Sequence, residues 1–260
     1  MLIDAHCHID AYPQPMEALA QGEAAGVRTL VVTTSLASYV RARILCRHYP
    51  QVQVALGLHP RRAPGYEHWP EWRQLLEGVS LVGEAGLDFR NGGNGQWTAQ
   101  AQALAEIARA CAQGNRALLL HSHHAEAEVW EIVSAAHVRW VLWHGYRPEG
   151  PKAVLYRAIE AGHLIGVGPL WVRSQALRQR LRAVPREQVL TESDAPRGDG
   201  GPLERAATLR QVLACLAEAW RCTPQEAEAQ VERNYARIMA DVTAGVGDGH
   251  QPREARDRSL

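Results

Sequence analysis

The chain has 260 residues, of which 46 % are hydrophobic and 22 % are charged. This composition is typical of an ordinary soluble globular protein, and the length allows one barrel-sized domain or two smaller ones. Lys and Arg equal Asp and Glu at 28 each, which argues against a protein that coats DNA, so binding to a polyanion would need a local cation cluster or bound metal.

Cysteine content and the sequence ends favour a cytoplasmic protein without a membrane partner. The five cysteines are odd in number and form no Cys-x-x-Cys pair, as expected of reduced thiols. The start lacks the features of a signal peptide, and no run of about 18 apolar residues could cross a bilayer. Residues 245–260 are rich in Gly and charge, which predicts a disordered tail after one domain over residues 1–244.

Short apolar runs alternate with longer segments of helical spacing along the chain. Eight strands are predicted, over residues 2–3, 28–34, 52–56, 81–83, 117–120, 140–143, 164–167 and 189–191. Helices are predicted over residues 99–113, 125–136, 152–161, 174–183, 203–219 and 224–239. Because no composition break suggests a linker, the alternation favours a closed (β/α)8 TIM barrel of the α/β class. No glycine-rich phosphate loop follows a strand, which excludes the common nucleotide-cofactor folds.

A His-x-His pair, His6 and His8, stands directly after the first predicted strand. Side chains on an extended strand alternate between faces, so both imidazoles project to one side and Cys7 to the other. Two adjacent imidazoles form half of a metal site. Alone, the pair is a weak signal, since the chain contains 12 His.

Imidazole or carboxylate groups also follow most of the other predicted strands. They are His59 after the third, Glu84 after the fourth, His121 after the fifth, His144 after the sixth, and Glu192 and Asp194 after the eighth. The carboxyl ends of parallel strands converge on one mouth only in a barrel, so the fold and the site support each other. Four His with two carboxylates suit one or two divalent ions such as Zn²⁺, Mn²⁺, Mg²⁺ or Co²⁺.

These residue types suggest metal-assisted hydrolysis without a covalent intermediate. Glu84 could bridge two cations that activate a water and clamp phosphoryl oxygens. Asp194 could bind metal and also accept the proton of the attacking water. His59 and Glu192 are candidates for proton transfer or for orienting the ligands.

The ordered motifs resemble the TatD-type metal-dependent deoxyribonucleases of the amidohydrolase-like barrels. The motifs span most of the chain: Asp4-Ala5-His6-Cys7-His8-Ile9-Asp10, Gly57-Leu58-His59-Pro60, Gly83-Glu84-Ala85-Gly86-Leu87-Asp88, Leu120-His121-Ser122, His144-Gly145, Glu192-Ser193-Asp194-Ala195-Pro196 and a late Asn234-Tyr235-Ala236-Arg237-Ile238. The resemblance implies a divalent-metal nuclease acting on DNA, on single strands or ends. It implies six metal ligands, His6, His8, Glu84, His121, His144 and Asp194.

Two loops depart from the family pattern. The family usually has H-S-R-[DE]-A after the fifth strand, where this chain has His121-Ser122-His123-His124-Ala125, so a phosphate or substrate contact is altered. After the sixth strand, Gly145-Tyr146-Arg147-Pro148 follows His144 in place of the family's H-x-F-S-G. Different loops around the same metals predict a different substrate or a shifted preference among nucleic acids.

A further resemblance concerns the segment Gly166-Val167-Gly168-Pro169, which is similar to TatD-like proteins of the bacterial anti-phage systems called Qat. That resemblance implies antiviral defence alongside other proteins of a defence operon.

Arginines follow many of the same predicted strands. They are Arg61, Arg62, Arg90, Arg147, Arg173 and Arg197. Guanidinium groups around a metal pair would suit phosphodiester oxygens, and as a group they favour a polyanionic substrate.

Two other functions stay open. An amidohydrolase-type enzyme could use the same ligands against a small amide, ester or phosphoester. The altered loops are also compatible with a weakly active or inactive accessory subunit of a defence complex.

Overall fold

The computed structural model describes residues 1–64, 69–90, 93–196 and 202–244. Its strands are β1 (Leu2–Cys7), β2 (Val27–Val31), β3 (Val52–Val54), β4 (Leu56–Leu58), β5 (Leu81–Asp88), β6 (Ala117–His123), β7 (Trp140–His144), β8 (Leu164–Val167) and β9 (Val189–Thr191). Its helices are α1 (Pro15–Ala24), α2 (Leu36–Cys46), α3 (Trp69–Leu76), α4 (Asn94–Gln113), α5 (Glu126–Ala135), α6 (Lys152–Glu160), α7 (Pro169–Arg173), α8 (Gln175–Leu181), α9 (Pro202–Trp220) and α10 (Pro224–Ala244).

All paired strands are parallel, in two sheets of order β1-β2-β3 and β4-β5-β6-β7-β8-β9. The sheets join on one side where Thr33, just past β2, exchanges backbone hydrogen bonds with Gly83 and Glu84 of β5. They join on the other side where the Asp194 amide donates to the His6 carbonyl at 2.9 Å. The strands therefore close into a barrel, and the predicted (β/α)8 architecture is confirmed.

The third predicted strand is divided into β3 and β4 at Ala55. Directly beyond the break, a Cβ atom on Gly57 would lie 1.6 Å from the Thr33 carbonyl oxygen. Glycine therefore allows the end of β2 to approach β4 and reach across to β5. This close approach depends on a distant segment, which local spacing does not show.

Several strands extend further than predicted. The first, fourth, fifth and sixth were placed over apolar residues alone, so His6, Glu84, His121 and His144 were expected to follow their strands. They lie inside β1, β5, β6 and β7 instead. The strands continue because these polar side chains point into the barrel mouth while their backbones keep pairing with the next strand.

Large aromatic side chains fill the core. Trp72, Trp143, Tyr146 and Trp171 are each almost fully buried. Within the described ranges, no helix has the length and apolar character needed to cross a bilayer. One domain over residues 1–244 stays a prediction, and the expected tail 245–260 and Arg197 lie outside the described residues.

Candidate metal centre

Strand β1 places His6 and His8 on the same face, as its alternation predicts. Their Nε2 atoms lie 3.3 Å apart, with His6 fully buried and the His8 side chain 20 % exposed. Cys7 points the other way, where its sulfur contacts the Ala195 carbonyl and the Arg205 guanidinium. The pair is therefore presented to the barrel mouth from a buried strand end.

Carboxylates from opposite sides of the barrel complete this group. Glu84 Oε2 lies 3.9 Å from His6 Nε2 and 3.7 Å from His8 Nε2. Asp194 Oδ1 lies 3.8 Å and 3.7 Å from the same two nitrogens. Asp194 has a backbone φ of +54°, a left-handed conformation uncommon outside glycine. Such a conformation in a non-glycine residue is often found where a side chain is aimed at a functional site.

His144 joins the group from β7. Its ring stacks on that of His6 at 3.4 Å between centroids, and its Nε2 lies 3.7 Å from Asp194 Oδ1. On its other side, Glu192 Oε2 lies 2.9 Å from Nδ1. The Gly145 amide donates to Glu192 Oε1 at 3.0 Å. Glu192 therefore stands behind His144 and orients the ring, in keeping with one of its two predicted roles.

His121 and His59 form the adjoining part of the site. His121 Nδ1 contacts Glu84 Oε1, while its Nε2 lies 3.5 Å from Asp88 Oδ2. The His59 ring meets that of His121 edge-on at 4.6 Å, and its Nδ1 accepts the Arg61 amide hydrogen. Glu84 therefore turns one oxygen towards the His6 and His8 pair and the other towards His121.

Asp88 belongs to this site although it was not singled out from the sequence. Its buried carboxylate binds Arg61 Nε at 2.9 Å and the Arg90 guanidinium at 2.6 Å. The signal for it was present, since residues four apart on one strand face the same way, and Asp88 follows Glu84 by four.

A second residue not anticipated from the sequence, Asp4, lies beneath the site. Its buried carboxylate accepts hydrogen bonds from the amide and hydroxyl of Ser193, at 2.9 and 2.8 Å. Asp4 therefore anchors the segment that carries Asp194. Only the closure of the barrel brings these two distant segments together.

Nearby positively charged groups lower the pKa values of two buried carboxylates in the site. Burial would raise the pKa of Glu84, but His121, His6 and His8 outweigh it and hold this pKa well below its usual range. Asp88 behaves likewise: its contacts with His121 and Arg90 overcome burial and lower its pKa. Both carboxylates are therefore ionised at neutral pH, as ligands of a cation need to be.

The imidazoles differ in how they hold protons. Burial, helped by the charge of His144, lowers the pKa of His6 well below its usual range. Burial also lowers the pKa of His59, to about 4. For His144 burial acts in the same direction, but Glu192 and Asp194 overcome it and raise the pKa to about 9. His6 is therefore ready to bind a cation as a neutral imidazole, whereas His144 must first release a proton.

The residues present fit a divalent ion. Ligand atoms about 2.1 Å from one tetrahedral ion lie about 3.4 Å from each other, close to the 3.3–3.9 Å separations among the side chains of His6, His8, Glu84 and Asp194. Among the residues that the structure describes, three groups have donor atoms close enough to share an ion: His6, His8 and Asp194; His6, His144 and Glu192; and His59, Asp88 and His121. Within the described ranges, His121 Nε2 is also buried without a hydrogen-bond partner, since Asp88 Oδ2 lies 3.5 Å from it. Imidazole and carboxylate donors of this kind suit Zn²⁺, Mn²⁺ or Co²⁺.

All eight side chains predicted for the site meet in the mouth or directly behind it. His6, His8, Glu84, His144 and Asp194 surround one centre. His121 continues the site towards Asp88, His59 packs against His121, and Glu192 supports His144. Their roles as ligands and catalytic groups stay predictions.

Comparisons with known proteins agree on one family. A model of TatD-related DNases matches residues 3–240. The chain is 30 % identical over 202 residues to the 3′-5′ ssDNA/RNA exonuclease TatD of Citrobacter rodentium, covering 69 % of this chain and 71 % of that protein. It is 24 % identical over 255 residues to the uncharacterized metal-dependent hydrolase YcfH of Escherichia coli K12, covering 92 % and 95 %.

Solved structures agree in fold. YJJV, a TatD homolog from Escherichia coli K12, has a TM-score of 0.79 at 26 % identity, covering 91 % of this chain and 97 % of that one. A TatD-family hydrolase from Entamoeba histolytica has a TM-score of 0.75 at 13 % identity, with the same coverage. The matching family model spans nearly all of the described residues, and so this protein belongs to the TatD-related DNase family.

Proposed function

We propose that this protein is a metal-dependent phosphodiester hydrolase that cleaves DNA, as single strands or at strand ends. The observation that carries the proposal is the set of donor atoms from His6, His8, Glu84, His144 and Asp194, which lie within about one ion's ligand spacing across the barrel mouth. The relative TatD of Citrobacter rodentium, described as an exonuclease on ssDNA and RNA, supports a nucleic-acid substrate.

The side chains divide into two ligand groups that share Glu84. His6, His8 and Asp194 would hold one ion, with His144 beside Asp194, and His121 with His59 and Asp88 would offer the donors for a second. The two oxygens of Glu84 face different imidazoles, which supports the predicted bridging role. Divalent ions in these positions would activate a water molecule and bind the phosphoryl oxygens of the substrate.

Protein side chains supply the proton handling and the orientation. Asp194 is 22 % exposed in its side chain and stands at the mouth, where its carboxylate accepts the proton of the attacking water. Glu192 keeps the His144 ring in place through Nδ1 and is itself held by the Gly145 amide. His59 lies at the rim beside His121, where its neutral imidazole can accept a proton.

Two of the predicted arginines lie at the rim of the site and contact a carboxylate. Arg61 and Arg90 both contact Asp88, so their charge is partly compensated by that carboxylate. Asp88 thereby holds two guanidinium groups at the rim, beside His121. This arrangement favours phosphate oxygens as the groups that approach the metal centre.

The decisive test uses purified full-length protein with Mg²⁺ or Mn²⁺ on end-labelled single-stranded and nicked DNA. Replacing Asp194 by Asn removes the proton acceptor, so we expect cleavage to fall by about 10²- to 10⁴-fold. The exposed Glu128 of α5 supplies the matched control, Glu128→Gln, which should retain activity. The proposal fails if wild-type protein leaves these substrates intact and Asp194→Asn behaves identically.

Further measurements on the same purified protein distinguish the other functions. Turnover of small amides or phosphoesters, lost in Glu84→Ala, would support an amidohydrolase-type enzyme. A metal content below one ion per chain after supply of Zn²⁺ and Mn²⁺ would support an inactive accessory subunit. The ladder of products on end-labelled DNA and RNA gives polarity and sugar preference.

The binding of one or two divalent ions by this chain, its cytoplasmic location and a role in anti-phage defence stay predictions. The defence role is supported only by the resemblance of residues 166–169 to Qat proteins. In this fold those residues also have a local task, because Gly166 and Gly168 leave the space that the Glu192 side chain occupies.

A further inference from the structure

The loop after β7, residues 145–150, is held in one conformation by buried contacts. Arg180 of α8, itself buried, donates from its guanidinium to the carbonyls of Arg147, Pro148 and Gly150 at 3.5, 2.7 and 3.0 Å. The buried Tyr146 hydroxyl donates to the Pro151 carbonyl at 2.6 Å. A surface loop with this many buried anchors is built to hold a fixed shape.

The loop presents Arg147 beside the metal centre. Strands β6 and β7 are paired with His121 opposite His144, and Arg147 follows His144 by three residues. Its Cα therefore lies within about 11 Å of that of His144. The Arg147 side chain is partly exposed and makes no hydrogen bond or ion pair with the described residues. Its backbone is fixed while its guanidinium stays available.

Several side chains near Arg147 are buried or already paired. His123, at the end of β6, is buried. Glu126 is buried, and burial raises its pKa against the opposing influences of its own backbone, His124 and Arg147. Arg90 is engaged with Asp88, whereas the Arg147 guanidinium has no such carboxylate contact among the described residues and can meet a new anion.

We propose that Arg147 binds a second phosphate of the DNA strand, beyond the one being cleaved, and that Arg180 is the positioning residue that fixes its loop. A guanidinium matches two phosphate oxygens with parallel hydrogen bonds, and a preordered backbone lowers the entropy lost on binding. This inference rests on the proposed nucleic-acid substrate and names one contact of it. It also gives a task to the two loops in which the chain departs from its relatives, since the segment after β6 has the buried His123 in the place of the family's Arg and the segment after β7 supplies the charge.

Binding without cleavage tests the contact directly. Fluorescein-labelled single-stranded dT10 is titrated with full-length protein in EDTA at several salt concentrations, and anisotropy gives the dissociation constant. For Arg147→Gln we expect about 10-fold weaker binding at low salt and a slope of log K against log salt that is smaller by about 0.7, the value for one phosphate of a single strand. Arg147→Lys should keep most of the slope.

Arg157→Gln is the matched control, because Arg157 lies on the outside of α6 with a side chain 58 % exposed. It removes the same charge and should leave both the affinity and the slope unchanged. Thermal unfolding of each variant checks that the fold is retained. Equal slopes for wild type and Arg147→Gln would overturn the proposal, as would an equal loss in Arg157→Gln.

The role of Arg180 is tested by a double-mutant cycle. Arg180→Lys keeps the charge but cannot span three carbonyls, so binding should weaken in the wild-type background. It should have no further effect on binding once Arg147 is already Gln. A purely structural role would lower affinity equally in both backgrounds, which would refute the positioning role. If the wild type cleaves no DNA but loses the salt slope in Arg147→Gln, the proposed function fails and this contact stands.

Discussion

Glu192 shows how single residues shape the metal centre. Its carboxylate passes between Gly166 and Gly168 of the neighbouring segment to reach His144. A side chain at either glycine would occupy that path. The residues that matter for the site therefore include some without any functional group.

Gly166→Ala is expected to weaken metal binding. Its Cβ would lie 2.1 Å from Glu192 Oε2, so the carboxylate must leave His144. Overpacking of this kind costs about 1–3 kcal/mol of the free energy of unfolding, and loss of such an orienting partner costs about 10- to 100-fold in metal affinity. Calorimetric titration with Mn²⁺ and urea unfolding measure the two effects.

The control for this substitution is Gly78→Ala, because the nearest neighbour of its Cβ would be 3.9 Å away. It should change neither quantity. An unchanged Mn²⁺ affinity in Gly166→Ala would contradict the orienting role of Glu192.

His144 makes metal binding depend on pH. Although burial opposes it, the carboxylates of Glu192 and Asp194 raise its pKa to about 9, so the ring carries a proton at neutral pH. An ion must displace that proton, and we expect Mn²⁺ affinity to rise between pH 7 and 9 by up to about 10-fold per pH unit. Calorimetric titrations at three pH values measure it.

Glu192→Gln isolates the cause of this dependence. The amide keeps an acceptor for the Gly145 hydrogen bond but removes the charge, so the pH dependence should become shallower. Glu128→Gln on the exposed face of α5 should leave it unchanged. An identical pH dependence in wild type and Glu192→Gln would exclude His144 as the competing group.

At the scale of elements, strands β7 and β8 are linked by a buried imidazole. Trp143 Nε1 donates to His163 Nδ1 at 3.0 Å, directly beside the strand position of His144. Burial lowers the pKa of His163 from 6.5 to about 4. The folded protein therefore disfavours protonation of this ring relative to the unfolded chain.

This linkage predicts lower stability in mild acid. Folding lowers the pKa of this histidine, so the contribution of its neutral ring to the free energy of unfolding is fully present above pH 6.5. That contribution is lost as the pH falls towards 4. Between pH 7 and 5 the loss amounts to about 2 kcal/mol. His163→Gln keeps an acceptor for Trp143 and should remove that part of the loss, as measured by urea unfolding in EDTA.

His48→Gln provides the comparison, since His48 is exposed on the surface. Its pH dependence should match that of the wild type. If His163→Gln loses as much stability as wild type between the two pH values, the ring is not the titrating group.

Sequence periodicity predicted most elements correctly but misplaced several of their ends. The eight strands and their order agree with the barrel, because apolar side chains of a parallel strand buried on both faces form recognisable runs. The predicted ends of β1, β5, β6 and β7 come too early, since these strands contain polar residues that are nevertheless buried. Burial of a polar group depends on partners from other strands, which no local pattern contains.

The whole molecule gathers its ligands from widely separated segments. They come from β1 and the residue after it, from β5, β6 and β7, and from the turn after β9, so a bound ion would connect distant segments of the chain. An ion that binds only the folded barrel stabilises it by mass action. The metal centre is therefore expected to contribute to stability as well as to function.

Removal of metal should lower the melting temperature. An ion at 100 times its dissociation constant adds about 2.7 kcal/mol, which for a domain of this size corresponds to about 5–10 °C. Differential scanning calorimetry with Mn²⁺ and with EDTA measures the difference. His6→Ala should abolish most of it, whereas His48→Gln should retain it, and an equal melting temperature with and without metal in the wild type would contradict a resident ion.

The amino-acid sequence alone determined the barrel and the identity of most of the residues that meet at its mouth. The strands and the alternation of their side chains can be read from the local pattern of polar and apolar residues. The carboxyl ends of parallel strands in a barrel then converge on one mouth. The tertiary structure decided which atoms face each other: Glu84 between two imidazole groups, Glu192 behind His144, Asp88 beside two arginines, and Arg147 on a clamped loop. These arrangements depend on packing between segments up to about 190 residues apart, such as Asp4 and Ser193, and only closure of the barrel brings such segments into contact.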